Sequence, residues 1–97
     1  MAYPQARSFI HTLPSGQRQR FVHYLFSEVG DEIPLHEHPN SMHSTMVLKG
    51  PVEVYDGTGK SKLVETGQFV EFAAGRQHAI RAKVAFAEVM NAHEPTQ

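Results

Sequence analysis

The sequence predicts an all-β domain, a sandwich or barrel with little or no helix, and three observations carry that prediction. Turn-forming residues recur at short intervals from end to end: Pro14-Ser15-Gly16, Gly30-Asp31, His38-Pro39-Asn40, Gly50-Pro51, Asp56-Gly57-Thr58-Gly59, Gly67 and Gly75. The stretches between them are brief and rich in Val, Phe, Tyr, Ile and Leu, the pattern of short strands joined by regular turns. No segment keeps a 3.6-residue apolar period over three turns, so no long helix is expected.

The turns divide the chain into nine predicted strands. Ser8–Leu13 ends at Pro14-Ser15-Gly16, and Arg20–Glu28 runs up to Gly30-Asp31. Ile33–Glu37 stops at His38-Pro39-Asn40, and His43–Lys49 stops at Gly50-Pro51. Val52–Tyr55 and Ser61–Thr66 flank the clearest hairpin, in which Gly57 and Gly59 can take the positive φ that such turns need. Gly67 separates that hairpin from Phe69–Phe72, and Gly75 precedes His78–Lys83. Phe86–Asn91 is the last strand. The ends, Met1–Gln5 and His93–Gln97, read as frayed and polar. With no linker, repeat or low-complexity tract, residues 1–97 make one domain.

Composition excludes several function classes. The chain is 40% apolar and 20% charged with a net charge of -1, which argues against a disordered tail, a collagen-like repeat and a basic nucleic-acid binder. No apolar run is long enough to span a membrane, and the first residues lack the apolar stretch of a signal peptide, so a cytoplasmic location is the default expectation. Cysteine is absent, which removes disulfides, thiolate zinc sites and cysteine nucleophiles together. A core this small needs outside help, from a metal, a partner subunit, or both. The unusual entry in the composition is histidine, with 7 residues, as many as glycine.

Four of those histidines form a pattern. His36, His38 and His43 fall close together, and His78 lies beyond the central hairpin. Residues two apart on a strand share a face, so His36 and His38 are expected to project together. A reversal at Pro39-Asn40 would return His43 on the neighbouring strand, with His78 arriving from the other side of a closed sheet. Neutral imidazoles converging on one point suit one divalent transition metal (Fe, Mn, Ni, Zn or Cu) rather than Mg or Ca. His11, His23 and His93 are read as ordinary surface or core residues.

Here the chain resembles the cupin superfamily, in particular the small single-domain, cupin-2 type of barrel. The first cupin motif is matched by Gly30, then Asp31–Leu35, His36-Glu37-His38, Pro39–Met42, His43, Ser44–Lys49 and Gly50. The second is matched by Gly67, then Gln68–Phe72, Ala73-Ala74-Gly75, Arg76-Gln77, His78, Ala79–Arg81 and Ala82. The resemblance implies a double-stranded β-helix of the RmlC-like jelly-roll kind, built from two antiparallel sheets, with a metal held by His36, His38, His43 and His78. Three positions depart from the pattern: His43 replaces a glutamate ligand, Ala73 a proline and Ala82 an asparagine. Exchanging carboxylate for imidazole leaves the ion its full charge, which favours anionic oxygen ligands. The resemblance also implies a homodimer with an exchanged N-terminal strand, within residues 1–19.

Strand alternation then suggests the pocket. Thr45, Val47, Val70, Phe72 and Ile80 are expected to line an otherwise apolar interior fit for a small, anionic ligand, while Met46 and Leu48 face outward and call for a partner's cover. Tyr24, Glu28 and Glu88 are the proton-transfer candidates on predicted strands, and no catalytic residue is assigned. Arg76 and Arg81 are read as solvated charge. Gly57-x-Gly59 lacks a following helix and is not a phosphate loop. The resemblance leaves three functions open: a dioxygenase-type metalloenzyme, a Lewis-acid isomerase, cyclase or lyase working through an enolate, and a non-catalytic small-molecule or metal-binding module.

Overall fold

The computed structural model describes residues 2–36 and 42–96. Among the described residues nine strands run in chain order: β1 (Gln5–Thr12), β2 (Arg18–Phe26), β3 (Glu32–His36), β4 (His43–Lys49), β5 (Val52–Asp56), β6 (Ser61–Val64), β7 (Phe69–Phe72), β8 (His78–Ala82) and β9 (Ala87–His93). Each corresponds to a predicted strand, with ends displaced by no more than three residues. No helix of the described residues is long and apolar enough to cross a membrane.

Two antiparallel sheets face each other, one in the order β1-β2-β9-β4-β7 and the other β3-β8-β5-β6. The β1–β2 and β5–β6 hairpins stay within one sheet, whereas every other connection between described strands crosses to the opposite sheet. That alternation winds the chain around a single apolar core. Phe26, Val47, Ala87 and Val89 come from the first sheet, and Ile33, Val52, Val64, Ile80 and Ala82 from the second.

Turn chemistry explains how the corners hold. In the β5–β6 hairpin, one Asp56 carboxylate oxygen accepts from the Thr58 hydroxyl at 2.6 Å, the Thr58 amide at 2.8 Å and the Lys60 amide at 3.2 Å. These bonds, led by that from the Thr58 hydroxyl, hold the Asp56 carboxyl below its ordinary value near 3.8. Gly59 takes the left-handed φ of +85°, as expected, but Gly57 does not. Gly57 instead lies against the Gln77 side chain, one residue before His78, so a larger residue there would have to displace the flexible end of Gln77.

The expectation of frayed ends is corrected. The buried Asp31 carboxylate accepts from the amides of Ala2 and Glu28, each at 3.1 Å, and the Glu32 amide donates to the Ala2 carbonyl at 2.9 Å. At the other end, Thr96 and Arg18 exchange backbone hydrogen bonds of 2.6 and 2.7 Å. A buried carboxylate must be paired to be tolerated, and the amide of Ala2 is one of its partners.

Candidate metal centre and cavity

Register sorts the side chains between the sheets into three layers, because residues two apart share a face. Cross-strand pairing places Val47 beside Val89 on one sheet, and Val52 beside Val64 and Ala82 on the other, to form an apolar floor. Above it, Thr45 lies beside Asn91 and Val70, opposite a row of Ile33, Ile80, Val54 and Lys62. The third layer holds His43 beside His93 and Phe72 on one sheet, and His36, His78 and Asp56 in a row on the other. Thr45 donates to Asn91 Oδ1 at 2.6 Å, both side chains buried, so the middle layer satisfies its own polar groups beneath the histidines.

Three of the four predicted ligands meet in that third layer. Ring centroids lie 4.2 Å apart for His36 and His78, and 4.7 Å apart for His43 and His78. His38 lies outside the described residues. Convergence comes about differently from the sequence expectation. His36 and His78 are cross-strand neighbours on β3 and β8, whereas His43 reaches them from the opposing sheet. β3 and β4 belong to opposite sheets and are not hairpin partners, so proximity in sequence becomes apposition across the sandwich.

Two backbone carbonyls set the tautomers. His36 Nδ1 donates to the Pro34 carbonyl at 2.9 Å, and His78 Nδ1 donates to the Arg76 carbonyl at 3.1 Å. A carbonyl oxygen only accepts, so in each neutral ring Nδ1 carries the hydrogen and Nε2 the lone pair. Orienting a ligating imidazole through its other nitrogen is the usual support for a metal-bound histidine. His78 Nε2 and both ring nitrogens of His43 are buried from solvent. Phe72 stacks on His78 with a centroid distance of 4.0 Å and an interplanar angle of 13°. Among the described residues no group of three or more His, Asp or Glu side chains is placed to hold a metal ion by itself. The donor chemistry fits a borderline transition metal, with His38 as the remaining ligand of the sequence pattern.

His93 belongs to this neighbourhood although the sequence reading set it aside. Its ring stacks on His43 at 5.4 Å and 23°. The signal was available in the alternation of β9, where Val89, Asn91 and His93 share one face. His11 is exposed on β1, and His23 pairs with Glu88 at 2.9 Å.

A cavity of about 630 Å³ opens beside His78, between β6 and β7, the edge strands of the two sheets. Val70 and Phe72 line it, whereas Thr45, Val47 and Ile80 are buried in the layers below. The wall is more polar than alternation suggested, because Asp56, Lys60, Lys62, Glu71 and Arg76 also contribute. Arg76, read from sequence as solvated charge, sits on this wall. Arg81 faces away and pairs with Glu32 at 2.9 Å. The proton-transfer candidates lie elsewhere. Tyr24 pairs with Val89 at the level of the apolar floor, and burial, followed by the neighbouring Tyr3, pushes its hydroxyl up to about 12. Glu88 is held by His23, and Glu28 lies beyond the end of β2.

Both scaffold departures are accommodated. Ala82 is fully buried, its amide donates to the Asp31 carbonyl and its carbonyl accepts from the Gly30 amide, each at 2.9 Å. The turn before His78 closes without proline, through the Arg76 amide donating to the Ala73 carbonyl at 3.1 Å, with Gly75 at φ +78°.

Comparison with known proteins agrees with this architecture. The family profile described as Cupin domain matches residues 24–86. No curated protein matches the sequence. Among solved structures, an uncharacterized conserved protein with a double-stranded β-helix domain from Klebsiella pneumoniae superposes with a TM-score of 0.81 at 18% identity, covering 98% of this chain and 79% of that one. KdgF from Halomonas sp. gives 0.71 at 16% identity, covering 95% and 80%. Oxalate decarboxylase from Bacillus subtilis, described with Mn(II) centres, gives 0.75 at 22% identity over 99% of this chain, which spans 26% of that larger protein.

Proposed function

The chain belongs to the cupin domain family, and from that premise we propose that it is a metal-binding cupin acting on a small molecule, with dioxygenase-type chemistry. The observation that carries the reading is the pair of carbonyl-fixed tautomers at His36 and His78, beside the buried His43. In this reading His36, His38, His43 and His78 hold one divalent transition ion, and the Mn(II) centres of the structurally similar oxalate decarboxylase are consistent with that. When bound, the ion supplies redox or Lewis-acid chemistry at a position open to substrate. Four imidazole ligands bring no negative charge, so a bound ion would keep its full positive charge and draw an anionic oxygen to it. Phe72, stacked on His78, shields one ring face from water, and Val54 and Val70 give the substrate an apolar wall.

A shortage of bases favours dioxygenase-type chemistry over proton-shuttling isomerisation, cyclisation or elimination. The carboxylates at the cavity are Asp56 and Glu71. Asp56 is held in its ionised form by the hairpin hydrogen bonds, which makes it a weak proton acceptor. Glu71 alternates with Val70 and Phe72 and leaves from the outer face of β7. Protein purified without added metal and analysed by elemental mass spectrometry is expected to carry Fe, Mn or Cu, and to consume oxygen with diketones, flavonols or thiols. A redox-inert ion with no oxygen uptake would replace this reading with the Lewis-acid one. Absence of a bound ion under every loading condition would overturn the metal site itself.

The same reading includes a homodimer. Phe21, Met46, Leu48, Phe69 and Met90 border an apolar groove of about 340 Å³ on the outer face of the five-stranded sheet. The groove continues through the Phe9–Phe21 pair onto β1, an edge strand exposed along its whole length. A second copy offers the same apolar face and edge strand in return, as a two-fold interface requires. Light scattering is expected to give twice the 10.9 kDa chain mass. A monomer at micromolar concentration would overturn the assembly.

A further inference from the structure

The cavity has a second end that the histidines do not account for. On β6, Val64 is buried in the apolar floor, and the two-residue period carries Lys62 onto the same side, with Lys60 in the turn just before the strand. Lys62 is the cross-strand partner of Val54, in a row otherwise made of Val54, Ile80 and Ile33. Both lysines line the cavity, as does Arg76. Lys60, Lys62 and Arg76 are all exposed, so they stand at the open rim of the cavity with their charge within reach of a ligand. Two carboxylates reach this wall. Asp56 keeps its negative charge while accepting from the Thr58 and Lys60 amides and the Thr58 hydroxyl, and is near enough to Arg76 to attract it. Glu71 departs from the outer face of β7. Three cations against these two acids leave the wall net positive.

We propose that Lys60, Lys62 and Arg76 form a subsite for a second anionic group, so that the substrate is a small dianionic organic acid. Its first anionic group lies at the histidine cluster, and its far end, a carboxylate or a phosphate, lies on the cationic wall. β8 and β6 are separated by β5, which puts the strands carrying His78 and Lys62 about 10 Å apart, two strand spacings. Val54, Val70 and Phe72 line the space between them and receive the carbon skeleton. Arg76 presents a planar fork suited to carboxylate or phosphate oxygens, and the lysines add positive charge that a flexible ligand end can follow. The placement of the first anionic group rests on the metal-binding reading, whereas that of the second does not.

Amide NMR titrations with glutarate, butyrate and inorganic phosphate test the subsite in metal-free and zinc-loaded protein. Glutarate is expected to shift the amides around Lys60, Lys62 and Arg76 and to bind about tenfold more tightly than butyrate, which lacks the second carboxylate. Lys62→Gln and Arg76→Gln are each expected to weaken glutarate about tenfold, and Lys62→Arg to restore it. Lys49→Gln removes the same charge away from the cavity and is expected to leave binding unchanged. Phosphate binding with the same dependence would assign the far group as a phosphate, and glutarate binding alone would assign it as a carboxylate. Zinc bound normally, with glutarate indifferent to Lys62→Gln and Arg76→Gln, would overturn the subsite and leave the metal reading standing. Failure to bind any metal, with a Lys62-dependent glutarate response, would overturn the metal reading and leave the subsite standing.

Discussion

His78→Ala is expected to lower the affinity for Zn²⁺ or Co²⁺ by more than the tenfold to hundredfold that loss of an outer-shell partner typically costs. His78 is the best-supported ligand: it is buried, its Nδ1 is held by the Arg76 carbonyl, and its ring lies between His36, His43 and Phe72. Titration calorimetry with zinc and the visible absorption of the cobalt form both read the loss without relying on activity. His11→Ala, on the exposed β1, is expected to bind metal as the parent does. Circular dichroism melting in the presence of a chelator separates loss of a ligand from loss of the fold. A His78→Ala protein that folds and binds metal with parental affinity would remove His78 from the site.

Phe26→Ala is expected to cost about 3–5 kcal/mol, a large share of the stability of a domain whose total is on the order of 5–15 kcal/mol. Phe26 is fully buried at the end of β2 and packs between the sheets with Ile33, Ala87 and Val89. Few large side chains share the core with it, since the other fully buried ones are Ile80, His78, four valines and Thr45. Val residues on paired strands cannot collapse into the space a phenyl ring leaves, so the transfer and cavity costs both apply. Urea unfolding followed by far-ultraviolet circular dichroism gives the number. A loss below 1 kcal/mol would mean that the two sheets repack, and that the core is less well defined than the burial indicates.

Some of the candidate site was legible before any coordinates. The spacing of His36, His38, His43 and His78 against Gly30, Gly50, Gly67 and Gly75 marks a motif. Three of those histidines share one layer of the fold. What spacing did not convey was the partner of each. His36 and His43 are close in sequence but on opposing sheets, and His36 pairs with the more distant His78. Lys60 and Lys62 are hard to recognise for a different reason. A lysine near or on a strand is expected to face water, and both are exposed, yet the parity of Val64 places Lys62 on the cavity side of β6, with Lys60 in the adjoining turn. His93 followed the same parity from Val89 and Asn91.

Local pattern is enough to specify the all-β class, the nine strands of the described residues and the absence of cysteine chemistry, because turn residues and alternation act over a few neighbouring positions. It also marks His36, His38, His43 and His78 as candidate ligands, but not the nearby His93. Long-range packing is what pins Ala2 to the buried Asp31 and Thr96 to Arg18, and what opens the cavity between β6 and β7 with three cations on its wall. Those features depend on which strands become neighbours and where the chain changes sheets. Pairing across tens of residues is settled by the packing of the whole core, which no local pattern encodes.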